Sequence, residues 1–261
     1  MKKSFERISL FLAFIMVFIG CSTIIYGRFT RQFNPEVSSF GVTISSQENM
    51  MVSTTGETGT FKDILKLEEL VNNTNVSLTP LVGKVSSQPG DEYKYFSLED
   101  SLGNPAANNT HLAFDLYFIG SSDMNLYFKG STGGVGAIFD DSDADVHFSD
   151  EQRQRLLSNL RIGFLTHSKI YQPSGTGVNV YYTNPVAANI YATSTITTDN
   201  YTTFSKLGYS NTDSDTVIAQ TKKNEVTKVR VVIWLEDDNL GDLDALCKLT
   251  LSIRFEAVLV N

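Results

Sequence analysis

Apolar and polar residues alternate most regularly near the C-terminal end of the chain. Over residues 248–260 every second side chain is apolar, and most of the residues between them are polar or charged. A period of two is typical of an antiparallel strand that is buried on one face. Residues 226–235 follow the same pattern, with Lys228 and Arg230 on the outer face. Trp234 falls on that outer face too, so its ring is either covered by a loop or exposed for binding.

The middle of the chain contains more strand signals. Residues 112–118 and 125–129 alternate on either side of a turn at residues 120–123, which predicts a hairpin. Further strands are predicted at residues 40–44, 161–166, 178–182 and 190–198. Many strands without a repeating βα unit predict an all-β fold, an antiparallel β-sandwich with one or two short helices.

The clearest helix signal begins at Ser149. Gln152 follows it at the spacing of a capping box, and residues 153–160 are good helix formers. Residues 61–71 are compatible with either a helix or a strand.

The N-terminal end carries an uncharged run, residues 8–27, between two groups of basic residues. A helix of that length spans about 30 Å, the thickness of the hydrocarbon core of a bilayer. The greater positive charge before the run favours an orientation with the N-terminus inside and the C-terminus outside. We therefore expect residues 1–33 to be a signal anchor or signal peptide, and residues 34–261 to form an extracytoplasmic domain.

Three fates of the N-terminal segment stay open. It remains as an uncleaved anchor, it is removed as a secretion signal near Gly20 and Ser22, or Cys21 is lipidated as in a bacterial lipobox. The first fate gives a single-pass protein of the cell membrane with its C-terminal domain outside. The other two give a secreted or a lipid-anchored protein.

Charge and cysteine content limit the partners and the cellular location that we expect for this protein. The formal net charge of −8 does not suit the phosphate contacts of a nucleic-acid-binding protein. Of the two cysteines, Cys21 lies in the apolar run and Cys247 is alone in the rest of the chain. The domain therefore has no internal disulfide and depends on its core, which together with the short Lys-Lys start suggests a bacterial surface.

The motifs of common enzymes do not occur. There is no G-x-S-x-G sequence, and the three histidines, His111, His147 and His167, lack the spacing of a zinc site. We therefore predict that the protein is not an enzyme, while a dispersed site assembled by folding stays open.

Two acidic clusters have the carboxylate density of a calcium site. The first is Asp140, Asp141, Asp143 and Asp145, and the second is Glu236, Asp237, Asp238, Asp242 and Asp244. Val146 replaces the glycine of an EF-hand loop, so the first cluster is not an EF-hand. Two interpretations stay open: solvated acidic loops, or a site in which Ca²⁺ relieves the repulsion between carboxylates. No other cofactor is predicted.

Three aromatic residues are the candidates for ligand binding. Tyr181 and Tyr182 lie in a stretch rich in Thr and Asn, and Trp234 lies on the outer face of its strand. Such rings stack on sugars or on a partner, but tyrosines on the outside of a sheet also pair across strands.

Four short segments resemble known surface proteins. Residues 20–30 look like the end of the export signal in camelysin and TasA-type surface proteins of Firmicutes. Residues 78–82 are similar to a Leu-x-Pro-Val segment of such proteins, and residues 114–118 and 231–236 resemble uncharacterised Firmicute surface proteins. The resemblance implies a jelly-roll-like sandwich on the cell surface that assembles by strand exchange. It implies no catalytic residue.

The leading hypothesis is a membrane-anchored bacterial cell-surface protein with a structural, adhesive or assembly role. Residues 8–27 hold it in the membrane, and its partners are other copies of itself or other surface proteins. The alternative is a calcium-dependent β-sandwich module that binds a glycan or another ligand.

Overall fold

Most of the described chain consists of β-strands. The structure, a computed structural model, describes residues 36–46, 50–66, 78–90, 92–128, 136–140, 148–174, 177–196, 201–206, 217–236 and 248–260. These residues form fourteen strands and one helix, so the all-β prediction is confirmed. The apolar run at residues 8–27 lies outside the described residues. Within the described ranges, no helix has the length and apolar character needed to cross a membrane.

The elements have the following bounds. The strands are β1 (Glu36–Ser46), β2 (Met51–Ser53), β3 (Ile64–Lys66), β4 (Pro80–Ser86), β5 (Tyr95–Glu99), β6 (Leu112–Ile119), β7 (Met124–Phe128), β8 (Gly136–Asp140), β9 (Leu160–Ser174), β10 (Gly177–Ile196), β11 (Tyr201–Lys206), β12 (Val217–Thr221), β13 (Thr227–Glu236) and β14 (Lys248–Leu259). The helix is α1 (Asp150–Ser158). Part of the ambiguous segment 61–71 is strand β3, and its last residues lie outside the described ranges.

Strand pairing follows the order β12-β7-β14-β8-β11-β10-β9-β13-β4-β5. Four more strands join this path: β1 beside β14, β6 beside β13, β2 beside β6 and β3 beside β1. Most pairs are antiparallel, as predicted. Two pairs are parallel, β1 with β14 and β4 with β13, and each unites segments that are far apart in the chain, as a parallel pair requires.

The predicted hairpin between residues 112–118 and 125–129 is wrong. Both strands form, as β6 and β7, but β6 pairs with β13 and β2, whereas β7 pairs with β14 and β12. The turn between them is held instead by the segment that follows β12. Asp123 Oδ1 accepts a hydrogen bond from the backbone N–H of Lys223 at 2.7 Å, and the Gly120 carbonyl accepts one from Asn224 at 2.8 Å.

Helix α1 begins with the predicted capping box. Ser149 Oγ accepts from the backbone N–H of Gln152 at 3.3 Å, and Gln152 Oε1 accepts from the backbone N–H of Ser149 at 2.9 Å. These bonds satisfy N–H groups that a helix start would otherwise leave without partners. Leu156 and Leu157 are the buried residues of the helix.

Aromatic rings connect strands that do not pair with one another. The ring of Phe164 on β9 lies 4.9 Å from that of Phe128 on β7 and 5.4 Å from that of Phe255 on β14. Phe118 on β6 lies 5.1 Å from Phe255. These strands are not hydrogen-bonded neighbours, so the rings, which pack tilted or edge-on, join them through side chains alone.

Strand β13 is buried on its outer face as well, beneath the hairpin of β4 and β5. The residues buried there are Leu81, Leu98, Leu165, Val232 and Trp234, none more than 8% exposed. We call this set the outer cluster. Its existence explains why the second half of β13 is buried on both faces instead of one.

Trp234 is the largest side chain of the outer cluster and is 1% exposed. A Cβ atom built on Gly83 of β4 would lie 2.6 Å from its Cζ2, and one built on Gly163 of β9 would lie 3.3 Å from its Cζ3. Its Nε1–H donates to Glu236 Oε2 at 2.7 Å. Of the two alternatives for this ring, the covered one is correct, and the cover is the β4–β5 hairpin.

Candidate functional site

A cleft lies beside the outer cluster, between β5 and the outer face of β6, β13, β9 and β10. Its volume is about 480 Å³, which is in the usual range for a site that binds a small molecule. Leu98, Leu165 and Val232 of the outer cluster line its apolar part. His111 and His167 line its polar part, and we call it the histidine cleft. Lys94, Asn184 and Arg230 are further polar or charged side chains of the lining.

The register of the strands explains why these side chains share one face. Arg230 on β13 lies opposite Asp115 on β6 and opposite Leu165 on β9. Residues two positions apart on a strand point to the same side, so Val232 accompanies Arg230 and His167 accompanies Leu165. The alternation that buries the core therefore also builds the cleft.

The ring of His167 is fixed by the backbone of Thr183. Its Nδ1 lies 2.8 Å from the Thr183 carbonyl oxygen, which only accepts, so Nδ1 carries the proton of the neutral ring. Nε2 is then an acceptor, and it is buried with no hydrogen-bond partner among the described residues. Burial lowers the pKa of His167, the bond to Thr183 raises it, and the charges of Lys228 and Arg230 lower it further. The net shift is downward, so the neutral ring is favoured.

His111 stands just before β6 in a similar state. Its Nδ1 is buried and has no hydrogen-bond partner within the described ranges. Burial lowers the pKa of His111, and the positive charge of Arg230 lowers it too. The lowered pKa of each ring favours the neutral imidazole, and each ring has one buried nitrogen without a partner among the described residues.

A single carboxylate, Asp115, positions two cations on this face. Its Oδ1 accepts from Arg230 Nε at 2.9 Å, and its Oδ2 lies 2.9 Å from Lys228 Nζ. The side chain of Arg230 is 48% exposed, whereas that of Lys228 is only 14% exposed. Lys228 Nζ is also 5.9 Å from the ring centroid of Tyr117 and 5.3 Å from that of Tyr182, distances at which cation–π attraction acts.

The lining of the cleft is positive although the chain as a whole is acidic. Lys94 and Arg230 line it, and the described lining residues include no Asp or Glu. The backbone N–H of Lys94 donates to the Pro185 carbonyl at 2.6 Å, which holds the start of β5 against β10. In a chain of net charge −8, this local excess of cations favours an anionic ligand.

The three aromatic residues predicted to bind a ligand do not form one surface. Trp234 is buried under the β4–β5 hairpin, and Tyr181 is 49% exposed on β10. Tyr182 points to the other side of β10 and packs edge-on against Tyr117, with ring centroids 5.8 Å apart. Strand β6, which carries Tyr117, does not pair with β10, and binding roles for Tyr181 and Tyr182 stay predictions.

The acidic clusters lie largely outside the described residues. Asp140 is the last residue of β8, while Asp141, Asp143 and Asp145 are not described. In the second cluster Glu236 is described and accepts the indole N–H, and Asp237, Asp238, Asp242 and Asp244 are not described. No group of three or more metal-ligating side chains occurs in the part of the chain that the structure describes. The Ca²⁺ site stays a prediction.

Sequence reasoning identified Arg230 as an outward-facing residue but missed the histidine cleft. His111 and His167 have no motif spacing, and they line the same cleft only because β6 and β9 both pair with β13. The available signal was the outer face of β13, where the same alternation that predicts the strand places Arg230 two residues before Val232 and four before Trp234.

Comparisons of the chain with models of protein families, with curated proteins and with solved structures found no match.

Proposed function

We propose that this protein is a membrane-anchored bacterial cell-surface protein with an adhesive role, and that its β-rich domain binds a ligand in the histidine cleft. One observation carries the binding role. A cleft of about 480 Å³ combines an apolar part with polar groups, two of which are imidazoles with a buried nitrogen that has no partner among the described residues. Unsatisfied buried polar atoms are rare, and a ligand that donates hydrogen bonds would satisfy them.

We propose further that the strands form a jelly-roll-like sandwich of two layers. The support is the set of ring contacts around Phe164, which join β9 to β7 and β14 without any pairing between those strands. Such contacts are expected where the inner faces of two sheets meet. The outer cluster and the histidine cleft then lie on the outside of one layer.

The membrane anchor and the orientation of the domain rest on the uncharged run at residues 8–27 and its basic flank. We expect the protein in the membrane fraction, with the domain accessible to protease added outside intact cells. A Cys21→Ser variant separates the fates, because it releases the protein or blocks its processing only if Cys21 is lipidated. Unchanged membrane retention together with an unchanged molecular mass in that variant favours the uncleaved anchor.

The binding role is tested by filling the cleft. Ala113 lines the cleft and is exposed, so Ala113→Trp places a large ring in it without removing any polar group. The matched control is Ser121→Trp, at an exposed position in the turn after β6 that does not line the cleft. The full chain in detergent is applied to an array of neutral and acidic surface polysaccharides. We expect binding to at least one of them, lost in Ala113→Trp and kept in Ser121→Trp.

Two results would contradict the binding role. One is an array without any bound polysaccharide, and the other is binding that Ala113→Trp leaves intact. A role in assembly, the other part of the hypothesis from the sequence, predicts larger species as concentration rises in sedimentation velocity. Within the described ranges β12 has β7 as its one strand partner, so its second edge is a place where a strand of another copy would pair.

A further inference from the structure

We propose that the histidine cleft selects a ligand that carries both a carboxylate and hydroxyl groups, the chemistry of an acidic sugar. This inference rests on the proposed binding role and adds the chemical class of the ligand. Three properties of the cleft lead to it: the unused donors of Arg230, the ring nitrogens of the two histidines that have no partner among the described residues, and the apolar part of the lining.

The guanidinium of Arg230 provides the contact for the carboxylate. An arginine has five N–H donors, and Asp115 takes the one on Nε. The donors on the two terminal nitrogens remain for a planar anion, which they bind through two parallel hydrogen bonds. The bond from Nε to Asp115 also fixes the position of the guanidinium. Lys94 lies in the same lining and adds a second positive charge from the β5 side.

The histidines exclude an anion without hydrogen-bond donors. His167 Nε2 is a buried acceptor, His111 Nδ1 is a buried ring nitrogen, and neither has a partner within the described structure. The lone pairs of a bare anion would repel that of His167 Nε2, whereas a hydroxyl group both donates and accepts and so satisfies either ring. A ligand that has a carboxylate for Arg230 and hydroxyls for the two imidazoles therefore provides hydrogen-bond partners for all three side chains.

The apolar part of the lining accepts a carbon skeleton. Leu98, Leu165 and Val232 belong to the outer cluster, and Phe96 packs against Trp234 with ring centroids 5.5 Å apart while lining the cleft. The C–H face of a sugar ring suits such a surface, since the ring carries apolar faces and polar edges. Because Phe96 contacts the chain's one tryptophan, a ligand that displaces it also changes the indole fluorescence.

The experiment is a calorimetric titration of the full chain in detergent with three probes. D-glucuronate has the carboxylate and the hydroxyls, D-glucose has only hydroxyls, and cyclohexanecarboxylate has only the carboxylate. We expect glucuronate to bind at least about tenfold more tightly than either of the others. Arg230→Gln should remove the advantage of glucuronate over glucose, and Arg155→Gln, an exposed arginine in α1, should leave it unchanged.

The pH dependence tests the acceptor state of the histidines. The titratable and charged groups around the two rings are Lys94 and Tyr95 of β5, Arg230 and Lys228 of β13, and Asp115 and Tyr117 of β6. Between pH 8 and the range where histidines protonate, the carboxylate of glucuronate stays ionised. We expect its affinity to fall as the imidazoles take up protons, because a protonated ring no longer accepts. Tighter binding on acidification would overturn the inference.

The outcomes separate this inference from the binding role. If glucose or cyclohexanecarboxylate binds as tightly as glucuronate, or if none of the three binds, the inference about ligand chemistry is wrong. The binding role still holds in either case if a polysaccharide of the array loses its binding in Ala113→Trp. Glucuronate binding that survives Ala113→Trp overturns the inference as well, because the probe then lies elsewhere.

Discussion

Replacing Gly83 with alanine should loosen the β4–β5 hairpin, because β4 passes directly over the indole of Trp234. The added Cβ would lie 2.6 Å from Cζ2 and 3.0 Å from Cε2 of the ring. The ring has little room to retreat. Gly163 bounds its other edge, where a Cβ would lie 3.3 Å from Cζ3, and Glu236 holds its N–H at 2.7 Å.

The magnitude follows from the separation that the methyl group demands. Carbon atoms in good contact are about 3.5–4.0 Å apart, so β4 and the indole must separate by about 1 Å. Overpacking of this kind costs about 1–3 kcal/mol of unfolding free energy. The alanine returns roughly 0.4–1 kcal/mol by restricting the unfolded chain. We expect a net loss of about 1–2 kcal/mol.

Denaturant unfolding followed by tryptophan fluorescence measures this loss at the site itself, since Trp234 is the chain's one tryptophan. Gly83→Ala should lower the midpoint and shift the native emission to longer wavelength. The control is Ser97→Ala, at an exposed position of β5 opposite Lys84 in the hairpin, which should change neither quantity. An unchanged midpoint together with unchanged emission in Gly83→Ala would refute the close approach of β4 to the ring.

Three further predictions concern the charges. Asp115→Asn should lower the unfolding free energy by about 1–3 kcal/mol, because it leaves the largely buried Lys228 without its carboxylate. The control Asp150→Asn, at an 88% exposed position, should cost under about 0.5 kcal/mol, and equal losses in the two variants would contradict the prediction. Burial lowers the pKa of His111 and His167 from 6.5, so at acidic pH the unfolded chain binds more protons at these two rings than the folded chain does. The unfolding free energy should be constant above pH 6.5 and fall below it, and the fall should shrink in the His111→Gln, His167→Gln double variant. If the acidic clusters bind Ca²⁺, the melting temperature should rise from EDTA to millimolar calcium, and an unchanged value would reject the calcium site.

The sequence was sufficient to predict those elements whose signal is local. Alternation predicted β13 and β14, and the spacing of Ser149 and Gln152 predicted the start of α1. It was misleading where pairing depends on distant segments. Strands β6 and β7 are adjacent in the chain and look like a hairpin, but each finds its partners elsewhere because its aromatic residues pack in a core built by β9 and β14.

Strand β10 shows a related difficulty. The sequence predicts two strands, at residues 178–182 and 190–198, whereas the structure has one strand from Gly177 to Ile196. Pro185 and its polar neighbours look like a break, but the ladder with β9 accommodates them through register shifts between Tyr182 and Ala187. The histidine cleft was hidden for the same reason, since its polar groups lie on or next to several strands whose register no local pattern specifies.

The parallel pairing of β1 with β14 determines how the domain would respond to mechanical load. Their ladder runs in one direction, from Glu36 beside Lys248 to Ser46 beside Ala257, with one register shift between Val37 and Ser39. A pull applied between residue 36 and residue 260 therefore acts along the two strands in opposite senses and loads the bonds of the ladder together. Bonds loaded together resist rupture better than bonds that open one after another. Tension applied at these two positions would therefore have to shear the whole ladder before either strand detached.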